Sequence, residues 1–179
     1  MDLHEPNAVT ENICHLLDNK QVSYKLISHP ECRTSEESAK ARAQGGGGQI
    51  TGAKAILMRI SRKRNDAEFG VFVLPGDRQL DSKALKKALK NQFADFKSFR
   101  FATATEMEQL TEGLIPGTMP PFASSIFDRI DLLYIDEELL ERESVGFNAG
   151  CLTRSIVISS QNYLKTVSPQ AIFAFSKSD

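Results

Sequence analysis

The chain has 179 residues and a formal net charge of −1, and hydrophobic residues make up 41% of it. These values are typical of a globular protein and argue against a disordered chain or a broadly basic nucleic-acid binder. A nucleic-acid substrate held at one local patch stays open, because affinity depends on local phosphate contacts. The three cysteines contain no CxxC pair, so the sequence indicates neither a structural zinc site nor a disulfide framework.

The amino-terminal residues are acidic and lack an apolar core, so we expect no signal peptide. No apolar run reaches the length of a membrane span, and we expect no membrane partner. A reducing cytoplasm is therefore the expected location. The length predicts a single domain over residues 1–179, with its core at about 22–166.

In the first half of the chain, apolar spacing predicts a helix at 9–19 and a strand at 21–27. Thr34 and Glu37 have the spacing of a capping box, which predicts a helix running to about residue 43. The glycine run 45–48 then interrupts regular structure. Two further strands are predicted at 53–60 and 69–74, and the polar connection 62–66 favours a hairpin.

In the second half, Asp81 or Ser82 is expected to cap a helix that runs to Lys90, and Thr103 and Glu106 form another capping box. The remaining predicted elements are strands at 97–101, 131–135, 144–148 and 154–158, a short helix at 136–142, and a last helix that Ser159 or Ser160 caps. Strands and helices mix without a strict βαβ rhythm. The predicted fold class is α/β (α+β), a mixed, barrel-like β-sheet with surrounding helices.

Lys54 is the first candidate functional residue. Alternation along its strand places it on one face with Ile56 and Met58, which should be core or pocket wall. A lysine there must either extend to solvent or meet an anionic partner, because an unpaired buried charge is unfavourable. Lys54 is therefore either a strand-end lysine or an ammonium that binds a phosphate or ribose oxygens.

The segment 113–117 is the second candidate. Gly113 follows a predicted helix and has the position of a left-handed cap. Ile115, Pro116, Gly117 and Thr118 fit a type II turn. A rigid turn alone would explain the pattern, yet such a segment also exposes backbone N–H groups that can hold a water or a developing oxyanion.

Other patterns favour structural interpretations. The run 45–48 lacks phosphate-loop spacing and is expected to be a flexible loop. The lysine-rich helix 83–90 is typical of a solvated face, although it could contact a nucleic-acid backbone. His29 stands alone before a proline, and Cys32 carries no nucleophile signature.

The order of these segments resembles the YbaK family and the insertion (editing) domain of bacterial prolyl-tRNA synthetases. The match extends from about Val22 to Leu164. It rests on a histidine near the first predicted strand and then on the segments 34–37, 52–57, 73–78 with 80–81, 113–117, 121–122 and 148–150, in that order along the chain. The lysine strand and the GxxPG loop are each weak signals, but their combination is specific.

The resemblance implies an aminoacyl-tRNA deacylase that removes a small amino acid (alanine, serine or threonine) from mischarged tRNA. It assigns Lys54 to the sugar–phosphate end of the substrate, and Gly113 and Gly117 to positioning the ester and the water by backbone groups. The residues assigned to substrate binding are His29, Thr34, Leu114, Ile115, Pro116, Phe122, Asn148 and Gly150. No metal, cofactor or protein nucleophile is needed, and an aminoacyl-tRNA synthetase is a further candidate partner.

The sequence departs from the family at Ala55, where Thr or Ser is common, and at Ala123, where Gly is common. These departures leave open which amino acid is removed. They also leave two alternatives: a non-catalytic module that binds a tRNA end or an amino acid, and a partner protein whose cleft is vestigial.

Overall fold

The structure, a computed structural model, describes residues 5–32, 35–44, 50–63 and 67–178, and only the backbone at residues 35 and 36. The helices are α1 (Ala8–Asn19), α2 (Ser35–Arg42), α3 (Ser82–Gln92), α4 (Ala104–Leu110) and α5 (Ser160–Thr166). The strands are β1 (Tyr24–Ser28), β2 (Thr51–Arg62), β3 (Ala67–Pro75), β4 (Gln79–Leu80), β5 (Phe96–Phe101), β6 (Leu132–Asp136), β7 (Ser144–Asn148), β8 (Arg154–Ser159), β9 (Ala171–Phe173) and β10 (Ser176–Lys177). Thr34 and the run 45–48 lie outside the described residues.

Apart from β4 and β10, which pair with each other in a separate small sheet, the described strands form a mixed sheet that is built around the β2–β3 hairpin. Its order is β1-β8-β7-β2-β3-β6-β9, and β5 also pairs with β2. The hairpin is antiparallel, whereas β2 pairs in parallel with β7 at Thr51 and Gly52. The predicted mixed sheet with helices outside is confirmed. Between the end strands β1 and β9 the described residues show no pairing, so the sheet is open rather than closed into a barrel.

Apolar side chains cover both faces of the sheet. Along β3, Val71 and Val73 enter one cluster while Phe72 and Leu74 enter the other, as the period of two along a strand requires. The apolar faces of α1, α4 and α5 pack in the first cluster, and that of α3 packs in the second. A strand buried on both faces reads as an unbroken apolar run, which is the pattern of residues 69–74.

Several helix boundaries are those that local signals predict. The side chains of Asp81, Thr103 and Ser159 each accept a backbone hydrogen bond at the start of α3, α4 and α5. In the capping box of α4, hydrogen bonds to Arg100 and to the backbone of Thr103 lower the pKa of Glu106 to about 2. These contacts connect residues a few positions apart, so the sequence alone is enough to predict them.

Two predicted elements differ in the structure. The strand predicted from residue 21 begins at Tyr24, because Gln21 takes a left-handed φ of 53° in the turn that ends α1. The helix predicted at 136–142 is only a 3₁₀ turn at Glu137–Leu139. Its cap, Asp136, is buried and also accepts hydrogen bonds from Phe175 N at 2.6 Å and Ser176 Oγ at 2.9 Å. Those long-range contacts are invisible to a local pattern.

No helix in the described part of the chain combines the length and apolar character that crossing a bilayer requires.

Candidate functional site

Lys54 lies near the beginning of β2 and pairs with Leu74 of β3. Its strand face continues through Ile56 and Met58, both of which contact the second apolar cluster. The side chain is partly buried, and Nζ donates a hydrogen bond to the carbonyl of Arg78 at 3.1 Å. Because an ammonium has three donors, Lys54 can hold ligand oxygens while keeping this contact.

The 113–117 segment contains the predicted turn. Thr118 N donates to the carbonyl of Ile115 at 3.1 Å, which closes the turn over Pro116 and Gly117. Gly117 has a φ of 94°, the left-handed region that a type II turn requires at this position. The Thr118 hydroxyl also donates to the Ile115 carbonyl at 2.8 Å. The turn is therefore held by its own residues and presents Gly117 in a fixed conformation.

The helix cap before this turn falls one residue earlier than predicted. Glu112, with a φ of 58°, occupies the left-handed position after α4, and Gly113 follows with a φ of 114°. The N–H of Gly113 donates to the carbonyl of Glu108 at 2.9 Å, which is the six-to-one bond of a Schellman motif. Gly113 thus belongs to the helix ending and directs the chain into the turn.

A cavity of about 110 Å³ lies where β2, β7 and the 113–117 segment meet. Three of the residues that the resemblance assigned to the site line it: Lys54, Gly117 and Asn148. Its other lining residues are Ser38, Arg42, Gly52, Ala53, Ala55, Gly76, Met119, Gly146 and Phe147. The strand lysine and the turn glycine therefore face one small pocket.

Asn148 connects the sheet to the turn. At the end of β7, its Nδ2 donates to the carbonyl of Gly117 at 2.8 Å. Its Oδ1 accepts a hydrogen bond of 3.4 Å from Ser155 Oγ of β8. Because both its amide nitrogen and its amide oxygen are hydrogen-bonded, the Asn148 side chain holds Gly117 in a fixed position relative to β7.

Three other residues of the predicted site lie away from the cavity wall. Leu114 and Phe122 are fully buried in the first apolar cluster, and Ile115 is 40% exposed. Phe122 makes edge-on contacts with the rings of Phe147 and Tyr163, with centroids 5.6 and 6.0 Å apart. The predicted substrate-binding role of these three residues has no cavity contact to support it.

Gly150 and Pro116 are likewise absent from the lining in the described part of the chain. Gly150 has a φ of 81°, and a Cβ there would lie 2.7 Å from a Val9 side-chain carbon. Its carbonyl accepts a hydrogen bond of 2.9 Å from Asn7 Nδ2. This glycine therefore serves the docking of α1. The predicted contact of Thr34 lies outside the described residues.

His29 lies behind the cavity and not in its wall. Its Nε2 is 2.8 Å from Ser155 Oγ, and its Nδ1 is 2.8 Å from the carbonyl of Pro30. Through Ser155 it supports Asn148, so it is at most an indirect contributor to the site. Next to it, Cys32 is buried, and burial raises the pKa of its thiol, with Glu37 adding to the rise. A buried, protonated thiol is a poor nucleophile.

Arg42 is a lining residue that the sequence analysis did not single out. It ends a short helix rich in charged and small residues, where an arginine normally faces solvent. In the structure it is only 2% exposed. Nothing in the linear pattern distinguishes it, because the residues that bury this helical arginine come from β2, β7 and β8.

Metal ions in proteins are held by several ligating side chains that lie close together. Within the described ranges, no group of three or more His, Cys, Asp or Glu side chains is placed to hold a metal ion. The cavity wall in the same part of the chain is cationic and neutral, with no carboxylate and no histidine. Such a wall suits a substrate that carries negative charge or oxygen acceptors.

Comparison with known proteins gives a consistent result. The family model described as the aminoacyl-tRNA editing domain matches residues 29–166. The chain is 26% identical over 164 residues to the multifunctional Ser/Thr-tRNA deacylase ProXp-y of Escherichia coli (strain K12), covering 90% of each protein. Its fold is similar to that of a candidate trans-editing enzyme for prolyl-tRNA synthetase, with a TM-score of 0.71, 19% identity and coverage of 98% and 100%. The hypothetical protein APE2540 is similar at 20% identity and a TM-score of 0.71, with coverage of 93% and 99%.

Proposed function

The chain belongs to the aminoacyl-tRNA editing domain family, and on that premise we propose that it hydrolyses the ester of tRNA charged with a wrong, small amino acid. The observation that carries the proposal is the shared cavity of Lys54 and Gly117. A polyanionic tRNA end needs cationic contacts, and an ester needs fixed donors beside its carbonyl. The position of Lys54 and of the fixed turn at Gly117 in one pocket supports both roles.

The reaction requires few catalytic groups from the protein. A water oxygen bonds to the ester carbonyl carbon, the carbon–oxygen bond to the ribose breaks, and the ribose oxygen takes up a proton. Because an aminoacyl ester is already activated, orientation and a few donors can supply the acceleration. We assign Lys54 to the sugar–phosphate end and Gly117 to the ester and the water, because the N–H groups of residues 113–115 already donate to neighbouring oxygens.

The size of the cavity supports a small amino acid. About 150 Å³ is enough to hold a benzene molecule, whereas this cavity measures about 110 Å³. Alanyl, seryl and threonyl groups fit within that volume, which supports one of them as the group removed. The E. coli relative is named for seryl and threonyl tRNA, and we extend that substrate class to this chain.

The proposed substrate also indicates the partner and the location of the protein. Mischarged tRNA arises at an aminoacyl-tRNA synthetase whose pocket cannot reject a smaller or isosteric amino acid. A synthetase that releases such tRNA is therefore the expected partner, and the cytoplasm the expected location.

The alternative is a binding module of the same fold, which Ala55 motivates. A panel of one tRNA charged separately with alanine, serine, threonine, leucine and phenylalanine distinguishes the two functions. We expect release of the small amino acids under multiple-turnover conditions, with leucine and phenylalanine retained. Saturable binding without release of any amino acid would instead establish the binding module.

Asn148→Asp tests the anchoring of the turn. A carboxylate cannot donate to the carbonyl of Gly117, so the turn should lose its support from β7. Loss of one hydrogen bond of about 1.5 kcal/mol corresponds to roughly a tenfold lower kcat. The matched control is Asn162→Asp, which removes a similar side-chain contact to the carbonyl of Ser23 on the exposed side of the molecule. Equal activity of the two variants would show that the anchor does not matter.

A further inference from the structure

The side chain of Arg42 fills a space that two glycines leave open. Gly52 of β2 and Gly146 of β7 are partners in the parallel ladder, and both line the cavity. A Cβ on Gly146 would lie 2.5 Å from Arg42 Cδ and 2.6 Å from its Nε. A Cβ on Gly52 would lie 3.1 Å from its Nη2. The end of the Arg42 side chain therefore packs against the backbone of these glycines and has a defined position in the cavity wall.

This buried guanidinium has few partners. Arg42 takes part in none of the ion pairs formed by described side chains. Nη1 donates one long hydrogen bond of 3.4 Å to Ser155 Oγ, and Nε is buried with no acceptor among the described residues. Burial lowers the pKa of Arg42, yet an arginine keeps its charge in proteins. A buried cation of this kind is stable where an oxygen acceptor completes it, and the cavity is where such an acceptor can enter.

Contacts along β7 and β8 also fix the position of Arg42 relative to the turn at Gly117. Gly146 and Asn148 are two residues apart on β7, so they share a face and lie about 6.6 Å from each other. Asn148 contacts Gly117, while Gly146 lies beneath the guanidinium. Ser155 Oγ connects Asn148 with Arg42, since it donates a hydrogen bond to the first and accepts one from the second. An ester that reacts beside Gly117 thus has Arg42 in the same cavity wall, two residues along β7 from the contact of Asn148.

We propose that Arg42 is a specificity-determining residue, whose guanidinium donates a hydrogen bond to the side-chain hydroxyl oxygen of a seryl or threonyl ester. The assignment rests on the proposed function and deepens it. A hydroxyl is the acceptor that these two amino acids add to alanine. A site built to hydrogen-bond a hydroxyl discriminates strongly against the analogue that lacks it, because its own buried donor is then left unpaired.

The test compares seryl and alanyl esters on the same tRNA by kcat/KM. Wild type should prefer the seryl ester by about tenfold or more. Arg42→Met, which keeps the length and removes the donors, should lose that factor on the seryl ester and change the alanyl ester by less than about threefold. The matched control is Arg129→Met, which removes an exposed arginine that contacts the carbonyl of Gln109. It should leave both esters unchanged.

Each outcome bears on a different claim. Equal loss on both esters in Arg42→Met would mean a structural role and would overturn the inference. Should that variant fail to fold, wild type decides alone: equal rates on alanyl and seryl esters would also overturn it. If wild type hydrolyses neither ester, the proposed function itself fails.

Discussion

Lys54→Ala should lower kcat/KM for a mischarged tRNA about 10- to 100-fold, the equivalent of one hydrogen bond from a charged donor, roughly 1.5–3 kcal/mol. The ammonium lines the cavity and has donors left after its contact with the carbonyl of Arg78. Deacylation at several substrate concentrations separates the effect on KM from that on kcat. A contact made to the sugar–phosphate end before and during the reaction should appear mainly in KM.

Two further variants sharpen this result. Lys54→Met keeps the aliphatic stem and should match Lys54→Ala, since the charge is the part that acts. Lys97→Ala removes an exposed lysine of β5 and should react like wild type. Melting temperatures check that all variants fold. If Lys54→Met kept full activity, the site would have to be assigned elsewhere.

Phe122→Ala should lower the free energy of unfolding by about 3–5 kcal/mol, as large-to-small changes in a packed core do. Phe122 is fully buried, and its ring contacts Phe147 and Tyr163. The Tyr163 hydroxyl donates to the carbonyl of Pro121 at 2.6 Å, so the neighbouring backbone is held as well. The cavity left by the ring cannot collapse freely around these fixed groups. Denaturant unfolding measures the change.

The same experiment decides between two roles for this phenylalanine. The family resemblance assigned it to substrate binding, whereas the structure buries it behind Phe147, which lines the cavity. A binding residue would raise KM and leave stability within about 0.5 kcal/mol of wild type. Phe101→Ala is the matched control, because that ring is 59% exposed and should change stability by no more than this amount. A stable Phe122→Ala protein with weak substrate binding would restore the binding role.

Local sequence signals predicted both elements that carry the site, the strand of Lys54 and the turn at Gly117. The alternation around Lys54 predicted a strand with one apolar face, and Ile56 and Met58 do contact the second cluster. Pro116 followed by Gly117 predicted a turn, which a hydrogen bond three residues apart closes. These features depend on φ preferences and on neighbours a few positions away, so they are written in the sequence itself.

The composition of the cavity wall was decided by tertiary structure. Arg42 and Ser155 are 113 positions apart, and the glycines that make room for the guanidinium come from strands β2 and β7. The sequence analysis did not single out Arg42, and the family resemblance assigned Phe122 to substrate binding. Packing between distant segments places Arg42 in the cavity wall and Phe122 in the first apolar cluster. By itself the sequence determined the strand, the turn and the family resemblance, while only the tertiary structure decided which side chains face the cavity, because burial depends on contacts that no local pattern records.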